Sequence, residues 1–192
     1  MKMKTLLSLI CTLGFVGWGL WSCSRIQSYS DIPAIHFKKI AFADSIHPDL
    51  GYIGKIAFLS FSFVDGDGDL GVKPEEKNAD GTYKPGGGVS RIYYTWHKKL
   101  PDRTYEPFQF PVTGEITISS EIPYRDVMDK SEAQNKTLKG SIEVKLMTPM
   151  KPQEVDTMRI EFYIVDRAKN KSNVDHTPDF SILNPPDTEL TQ

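Results

Sequence analysis

The sequence predicts an all-β fold, a sandwich of two antiparallel sheets with an immunoglobulin-like or fibronectin III-like arrangement. Three observations predict it: from Ala34 onward the apolar residues recur with a period near two, strongly helical stripes are absent, and turn residues separate seven or eight candidate strands. A small closed barrel satisfies the same pattern and stays as the alternative.

The first two strands carry the clearest alternation. Ile35 and Phe37 are followed by Ile40 and Phe42, so the first strand is expected to contain a slip in its middle. The second strand shows one fully apolar face and one mixed face. Its apolar face consists of Ala57, Leu59, Phe61 and Phe63. This face is predicted to lie in the core.

The later strands are shorter but follow the same period. Their marker residues are, in chain order, Ile92, Tyr94 and Trp96; Tyr105, Phe108 and Phe110 after a turn at Pro101-Asp102; Ile116 and Ile118; Ile142, Val144 and Leu146; and Met158, Ile160, Phe162 and Ile164. Residues 180–183 are expected to close a sheet at its edge. Residues 125–136 could hold a short helix, and residues 73–89 form the longest stretch without a predicted element.

Composition excludes several classes of protein. The 192 residues carry a formal charge of −2, are 39% hydrophobic and contain two Cys. A disordered tail, a disulfide scaffold and a strongly basic nucleic-acid binder are therefore not expected.

The N-terminal residues indicate an export leader. Lys2 and Lys4 precede an uncharged, mostly apolar stretch over residues 5–24. Leu20-Trp21-Ser22-Cys23 resembles the lipobox of bacterial lipoproteins, in which the Cys is lipidated and becomes the first residue, although Trp21 is bulkier than usual there. The expected organisation is a signal peptide over residues 1–22, a lipidated tether over residues 23–33 and one β-sandwich domain over residues 34–192. An uncleaved transmembrane anchor is the alternative.

Cleavage before Cys23 would determine how the protein is attached to the membrane. Losing Lys2 and Lys4 takes the formal charge from −2 to −4, so acyl chains rather than anionic lipid headgroups would hold the body at the membrane. Cys23 would be the one remaining Cys, and no intramolecular disulfide could form. The expected location is the cell envelope, at the outer membrane, with the periplasmic and the outward face both open.

An acidic motif follows the second strand and carries the clearest chemistry. Asp65, Asp67 and Asp69 alternate with glycines that let the chain curl, so their carboxylates can converge on a divalent cation. Calcium is the expected ion, because it accepts several oxygen ligands in irregular geometry. Counting as in a calcium loop adds the Gly71 carbonyl and Glu76 as ligands, in seventh and twelfth place.

The motif departs from an EF-hand, and a simpler interpretation remains open. Leu70 stands where the sharp turn needs Gly, Lys73 stands where an acid or hydroxyl is usual, and the entering segment is a strand. A tight polar turn, whose Asp side chains cap backbone amides, explains the same residues without a cation. A second turn is predicted at residues 166–173, where Asp166 leaves a strand and Asn follows, which favours a left-handed residue.

Several of these motifs together resemble a family of lipoproteins from Bacteroidota. The resemblance rests on the leader with Cys23, the strand that runs into the DGDGDLG sequence of residues 65–71, the Leu138-Lys139-Gly140 turn and the DRAKNKSN sequence of residues 166–173. It implies an envelope location and a β-rich fold, and it supplies no activity.

The sequence predicts a binding or adhesion protein rather than an enzyme. No zinc motif, nucleophile elbow or phosphate-binding loop is present in the sequence. A glycan-active enzyme and a purely structural envelope accessory are the alternatives. The expected partners are the membrane, through the lipid on Cys23, and another envelope protein or a glycan, with no nucleic acid. Tyr93 and Tyr105 are the candidates for an exposed ligand surface.

Overall fold

The computed structural model describes residues 29–46, 53–71, 77–84, 89–110, 113–122, 137–148, 156–186 and 189–191, and these contain strands and turns but no helix. The strands are β1 (Ala34–Ile46), β2 (Ile53–Asp65), β3 (Arg91–Lys99), β4 (Tyr105–Pro107), β5 (Thr117–Glu121), β6 (Leu138–Met147), β7 (Thr157–Val165), β8 (Asp175–His176), β9 (Phe180–Ser181) and β10 (Leu190–Thr191). The helix considered for residues 125–136 lies outside the described residues.

The strands form two antiparallel sheets, as the sequence predicted. One sheet has the order β10-β1-β2-β6, and the other has the order β4-β3-β7-β8, with β5 also on β3 and β9 also on β7. The long strands thus divide between the sheets as strands A, B and E and strands C and F do in immunoglobulin-like sandwiches. The two-sheet sandwich prediction is confirmed.

The expected slip in the first strand is a β-bulge. The pairing of β1 with β2 shifts between Phe37 and Lys39, so Lys38 has no partner in the ladder. The bulge keeps Ile35 and Phe37 on the core side before it and Ile40 on the core side after it, and all three are buried. Strict alternation without this bulge would place either Ile35 and Phe37 or Ile40 on the solvent side of the sheet.

Inward residues of both sheets meet in one core. Ala57, Leu59 and Phe61 of β2 are 0% exposed, and β7 alternates buried and half-buried residues over its whole length. Phe61 and Phe162 contact each other from opposite sheets, with ring centroids 5.3 Å apart. Each fully buried side chain of this size contributes roughly 1.5 to 3 kcal/mol to the stability of the fold.

Two segments expected to lack structure are ordered against the sandwich. Residues 77–84, inside the long predicted loop, form a turn closed by a bridge between Lys77 and Tyr83, and both side chains bond to Glu121. The expectation of a structureless stretch is therefore wrong for these residues. Residues 29–33, assigned to the tether, also lie against the domain, with Pro33 buried.

Candidate metal centre

The acidic loop, residues 65–71, begins where β2 ends and is shaped by two glycines and one apolar anchor. Gly68 and Gly71 have φ values of 69° and 102°, which glycine adopts without strain. Leu70 is 1% exposed and belongs to the core, so it anchors the loop where an EF-hand would have Gly. Its amide donates to Asp65 Oδ2 at 3.1 Å, and the Gly71 amide donates to Ser90 Oγ at 2.9 Å. The loop therefore curls back with its carboxylates inside.

The Asp166 turn, residues 166–170, leaves β7 of the opposite sheet with the conformation predicted from sequence. The Asn170 amide donates to Asp166 Oδ1 at 2.7 Å, and Lys169 is the left-handed residue, with a φ of 73°. The turn also reaches the acidic loop, because the Ala168 amide donates to Asp69 Oδ2 at 2.8 Å. The two sheets are thus joined at this end by their acidic residues.

Three carboxylates, those of Asp65, Asp69 and Asp166, converge here, and the charge of Asp67 acts on Asp65 and Asp69. We call these four residues the acidic cluster. One oxygen each from Asp65, Asp69 and Asp166 lies within 4.8 Å of the other two, and Asp65 and Asp166 are 0% exposed. One buried oxygen of every member has no hydrogen-bond partner among the described residues. These four unpaired oxygens are Asp65 Oδ1, Asp67 Oδ1, Asp69 Oδ1 and Asp166 Oδ2.

The electrostatics of the acidic cluster are those of crowded anions. Burial, followed by the charges of Asp67 and Asp69, raises the pKa of Asp65 to about 7. Burial and the charge of Asp166 also raise the pKa of Asp69. Buried carboxylates with unpaired oxygens are costly unless a cation or proton neutralises them. The acidic cluster is therefore suited to bind a cation through its carboxylate oxygens.

The sequence-predicted ligands have different outcomes. The carboxylates of Asp65 and Asp69 converge with that of Asp166, whereas Asp67 is not among the three whose oxygens lie within 4.8 Å of one another. Gly71 is buried and its amide donates to Ser90 Oγ, while a ligand role for its carbonyl stays a prediction. Glu76 lies outside the described residues.

Asp166 is the cluster member that sequence reasoning did not assign. A signal for it exists, because the sequence Val-Asp stands at the end of both strands: Val64-Asp65 closes β2, and Asp166 directly follows Val165, the last residue of β7. Recognising it as a shared site requires knowing that these strand ends lie at the same end of the sandwich.

The predicted ligand surface lies on the outer face of the six-stranded sheet. Tyr93 stacks on Tyr163, with ring centroids 5.0 Å apart and an interplanar angle of 10°. The Arg159 guanidinium lies 3.6 Å from the centroid of the Tyr105 ring, and the Tyr105 hydroxyl donates to Asp179 Oδ1 at 2.8 Å. Both tyrosines are half-buried and engaged with neighbours, and their role in ligand binding stays a prediction.

The same face holds a partly buried charged group around His97. Its Nε2 lies 3.3 Å from Glu161 Oε2, and Glu161 also pairs with Arg159. Burial lowers the pKa of His97, although the Glu161 carboxylate acts in the opposite direction. His97 is therefore neutral near pH 7, and its pairing with Glu161 is a weak one there.

Comparison with known proteins finds no matching family model, no matching curated protein and no matching solved structure. Within the residues whose structure is described, no helix has the length and apolar character needed to cross a membrane.

Proposed function

We propose that this protein is a lipid-anchored domain of the cell envelope that binds calcium in the acidic cluster and acts by binding rather than by catalysis. The observation that carries the proposal is the set of four unpaired oxygens, two of them on Asp side chains that are 0% exposed. An isolated anion in such a position is strongly disfavoured, and a divalent cation reverses the sign of the interaction.

The donor set favours calcium over other biological cations. The acidic cluster offers carboxylate oxygens, whereas zinc prefers nitrogen and sulfur ligands. Two oxygens on opposite sides of a calcium ion lie up to about 5 Å apart, because each calcium–oxygen distance is about 2.3 to 2.6 Å. One oxygen each of Asp65, Asp69 and Asp166 lies within 4.8 Å of the other two, which agrees with that span. Magnesium needs shorter distances and retains its waters more strongly.

The alternative of a purely polar turn accounts for one oxygen of each of three cluster members. Asp65 Oδ2, Asp69 Oδ2 and Asp166 Oδ1 each accept a backbone amide, as capping side chains do. The other oxygen of each residue is buried and has no hydrogen-bond partner among the described residues, and the three carboxylates lie close together. A capping role leaves this convergence unexplained, and a cation explains it.

Burial of the cluster argues against glycan hydrolysis at this site. A glycosidase places two carboxyl groups on either side of a glycosidic bond, which the sugar must reach. Asp65 and Asp166 are both 0% exposed, so a sugar ring could not lie between them without opening the loops. We therefore assign the cluster a stabilising role.

The proposed envelope location and binding partner do not depend on the acidic cluster but on other residues. Cys23 lies outside the described residues, and lipidation is proposed from its leader context. The loops at the ends of the sandwich would then be displayed from the membrane to another envelope protein or a glycan.

Equilibrium binding of calcium tests the proposal. The full chain, purified in detergent and stripped with EGTA, is titrated with calcium by isothermal titration calorimetry. We expect one calcium ion per chain and weaker binding of magnesium. Asp69→Asn should weaken calcium binding at least tenfold, whereas Asp102→Asn should not. Asp102 caps the Thr104 amide in an exposed turn and lies outside the cluster, so it is a matched control. Absence of calcium binding by the folded protein would favour the polar turn.

A further inference from the structure

The segment that links the expected tether to β1 lies directly against the acidic loop. The Gly66 amide donates to the Ser30 carbonyl oxygen at 2.9 Å. Gly66 has no room for a side chain, because a Cβ would overlap the Ser30 carbonyl and lie 2.5 Å from the Tyr29 carbonyl oxygen. The contact of the two backbones therefore requires glycine at a position immediately after a cluster member.

The Asp166 turn holds the same segment from its other side. The Asn170 side chain donates to the Asp31 carbonyl oxygen at 3.4 Å, while the Asn170 amide is bonded to Asp166. Just beyond the turn, the Asn173 side chain accepts from the Ile35 amide at 2.8 Å and donates to the Ile35 carbonyl at 3.0 Å. The segment that leads into β1 is thus hydrogen-bonded to residues that adjoin the acidic cluster.

Both contacts depend on the spacing of two loops that carry like charges. Asp65 and Asp69 belong to the loop that contacts Ser30, and Asp166 begins the turn that contacts Asp31. Ionised carboxylates on the two loops repel each other, and a shared cation draws the loops together. One ion can therefore set the position of both contacts at once.

We propose that a cation bound in the acidic cluster locks residues 29–31 onto the sandwich and so controls how the domain stands on its membrane tether. This inference rests on the proposed calcium site. Tyr29 is also held independently of the cation, because Lys139 Nζ of β6 donates to the Tyr29 hydroxyl and lies 3.6 Å from the centroid of the Tyr29 ring. The cation therefore acts mainly on Ser30 and Asp31. Release of the three residues 29–31 would add at most about 11 Å of reach between the membrane and the body.

Hydrogen–deuterium exchange on the full chain in detergent tests the inference. Peptides that cover residues 29–37 are followed with calcium and with EGTA. We expect exchange in this region to slow at least fivefold with calcium, because the Ile35 amide and its neighbours become more firmly held. Peptides from the β3–β7 pair serve as an internal reference for global stabilisation.

Reciprocity supplies a second measurement. If cation binding holds the segment, then loosening the segment must weaken cation binding by the same factor. Gly66→Ala and Asn170→Ala should each lower calcium affinity about fivefold or more although neither replaces a carboxylate, and Asn184→Ala, in an exposed turn, should leave it unchanged. Asn170→Ala retains the backbone of the turn and serves if Gly66→Ala does not fold.

The outcomes separate the two proposals. Absence of calcium binding by the unmodified chain would overturn the proposed function. Normal calcium binding with unchanged exchange over residues 29–37, and unchanged affinity in both variants, would overturn the lock and leave the calcium site in place.

Discussion

Asp166→Asn changes the charge of the acidic cluster with very little change of shape. Asn keeps an oxygen in the position of Asp166 Oδ1, which accepts the Asn170 amide, and replaces the unpaired Oδ2 with an amide nitrogen. The turn is therefore retained while one ligand is lost. We therefore expect the variant to be more stable than the unmodified protein without calcium and less stable than it with calcium.

Without calcium, the variant should be the more stable protein. Two ionised carboxylates 4.8 Å apart repel by about 3 to 4 kcal/mol at an effective dielectric constant near 20. Part of this is relieved at pH 7, because the pKa of Asp65 is raised to about 7. Removing the Asp166 charge should therefore raise the free energy of unfolding by about 1 kcal/mol or more.

With calcium, the order should reverse. A site of the extracellular kind with a Kd near 0.1 mM gains about 2.7 kcal/mol at roughly 10 mM calcium. For a domain of this size that corresponds to a rise in Tm of about 5 to 11 °C. The Asp166→Asn variant should show less than a third of this rise, and Asp102→Asn should match the unmodified protein.

Scanning calorimetry of the three proteins in EGTA and in calcium measures both effects. A Tm of the unmodified protein that is the same in both conditions would refute the reasoning. An equal Tm offset between Asp166→Asn and the unmodified protein in both conditions would also refute it, because a polar turn without a cation gives that result.

Three further predictions concern the core, the outer face and the anchor. Leu59→Ala should lower the free energy of unfolding by about 2 to 5 kcal/mol in urea titrations, because Leu59 is 0% exposed, whereas Ile116→Ala, at a residue 45% exposed, should cost much less. Burial lowers the pKa of His97 below its ordinary 6.5, so the unfolded chain binds more protons than the folded protein as the pH drops below 6.5, and the free energy of unfolding should fall there. In urea midpoints measured from pH 5 to 7.5, His97→Gln should reduce this dependence on pH. Cys23→Ser should move the protein from the detergent phase to the aqueous phase in Triton X-114 partition, and retention in detergent would favour a transmembrane anchor.

Local rules allowed much of the fold to be predicted from the sequence. The period of two identified the inward faces of β2, β3 and β7, and the spacing of Phe37 and Ile40 indicated the bulge in β1. The short strands β8 and β10 were not predicted, because two residues carry no measurable period. The hairpin over residues 77–84 was missed because its order comes from Glu121, a residue far along the chain.

The candidate site, too, was predictable from the sequence only in part. The alternation of Asp65, Asp67 and Asp69 with glycines, and the capped turn with a left-handed residue after Asp166, could be inferred from the chain alone, because spacing and φ preferences act within a few residues. The place of Asp166 in the cluster, by contrast, depends on how the two sheets pack. Residues about a hundred positions apart meet only when the pairing of two sheets brings their strand ends together, and no local preference encodes that distance.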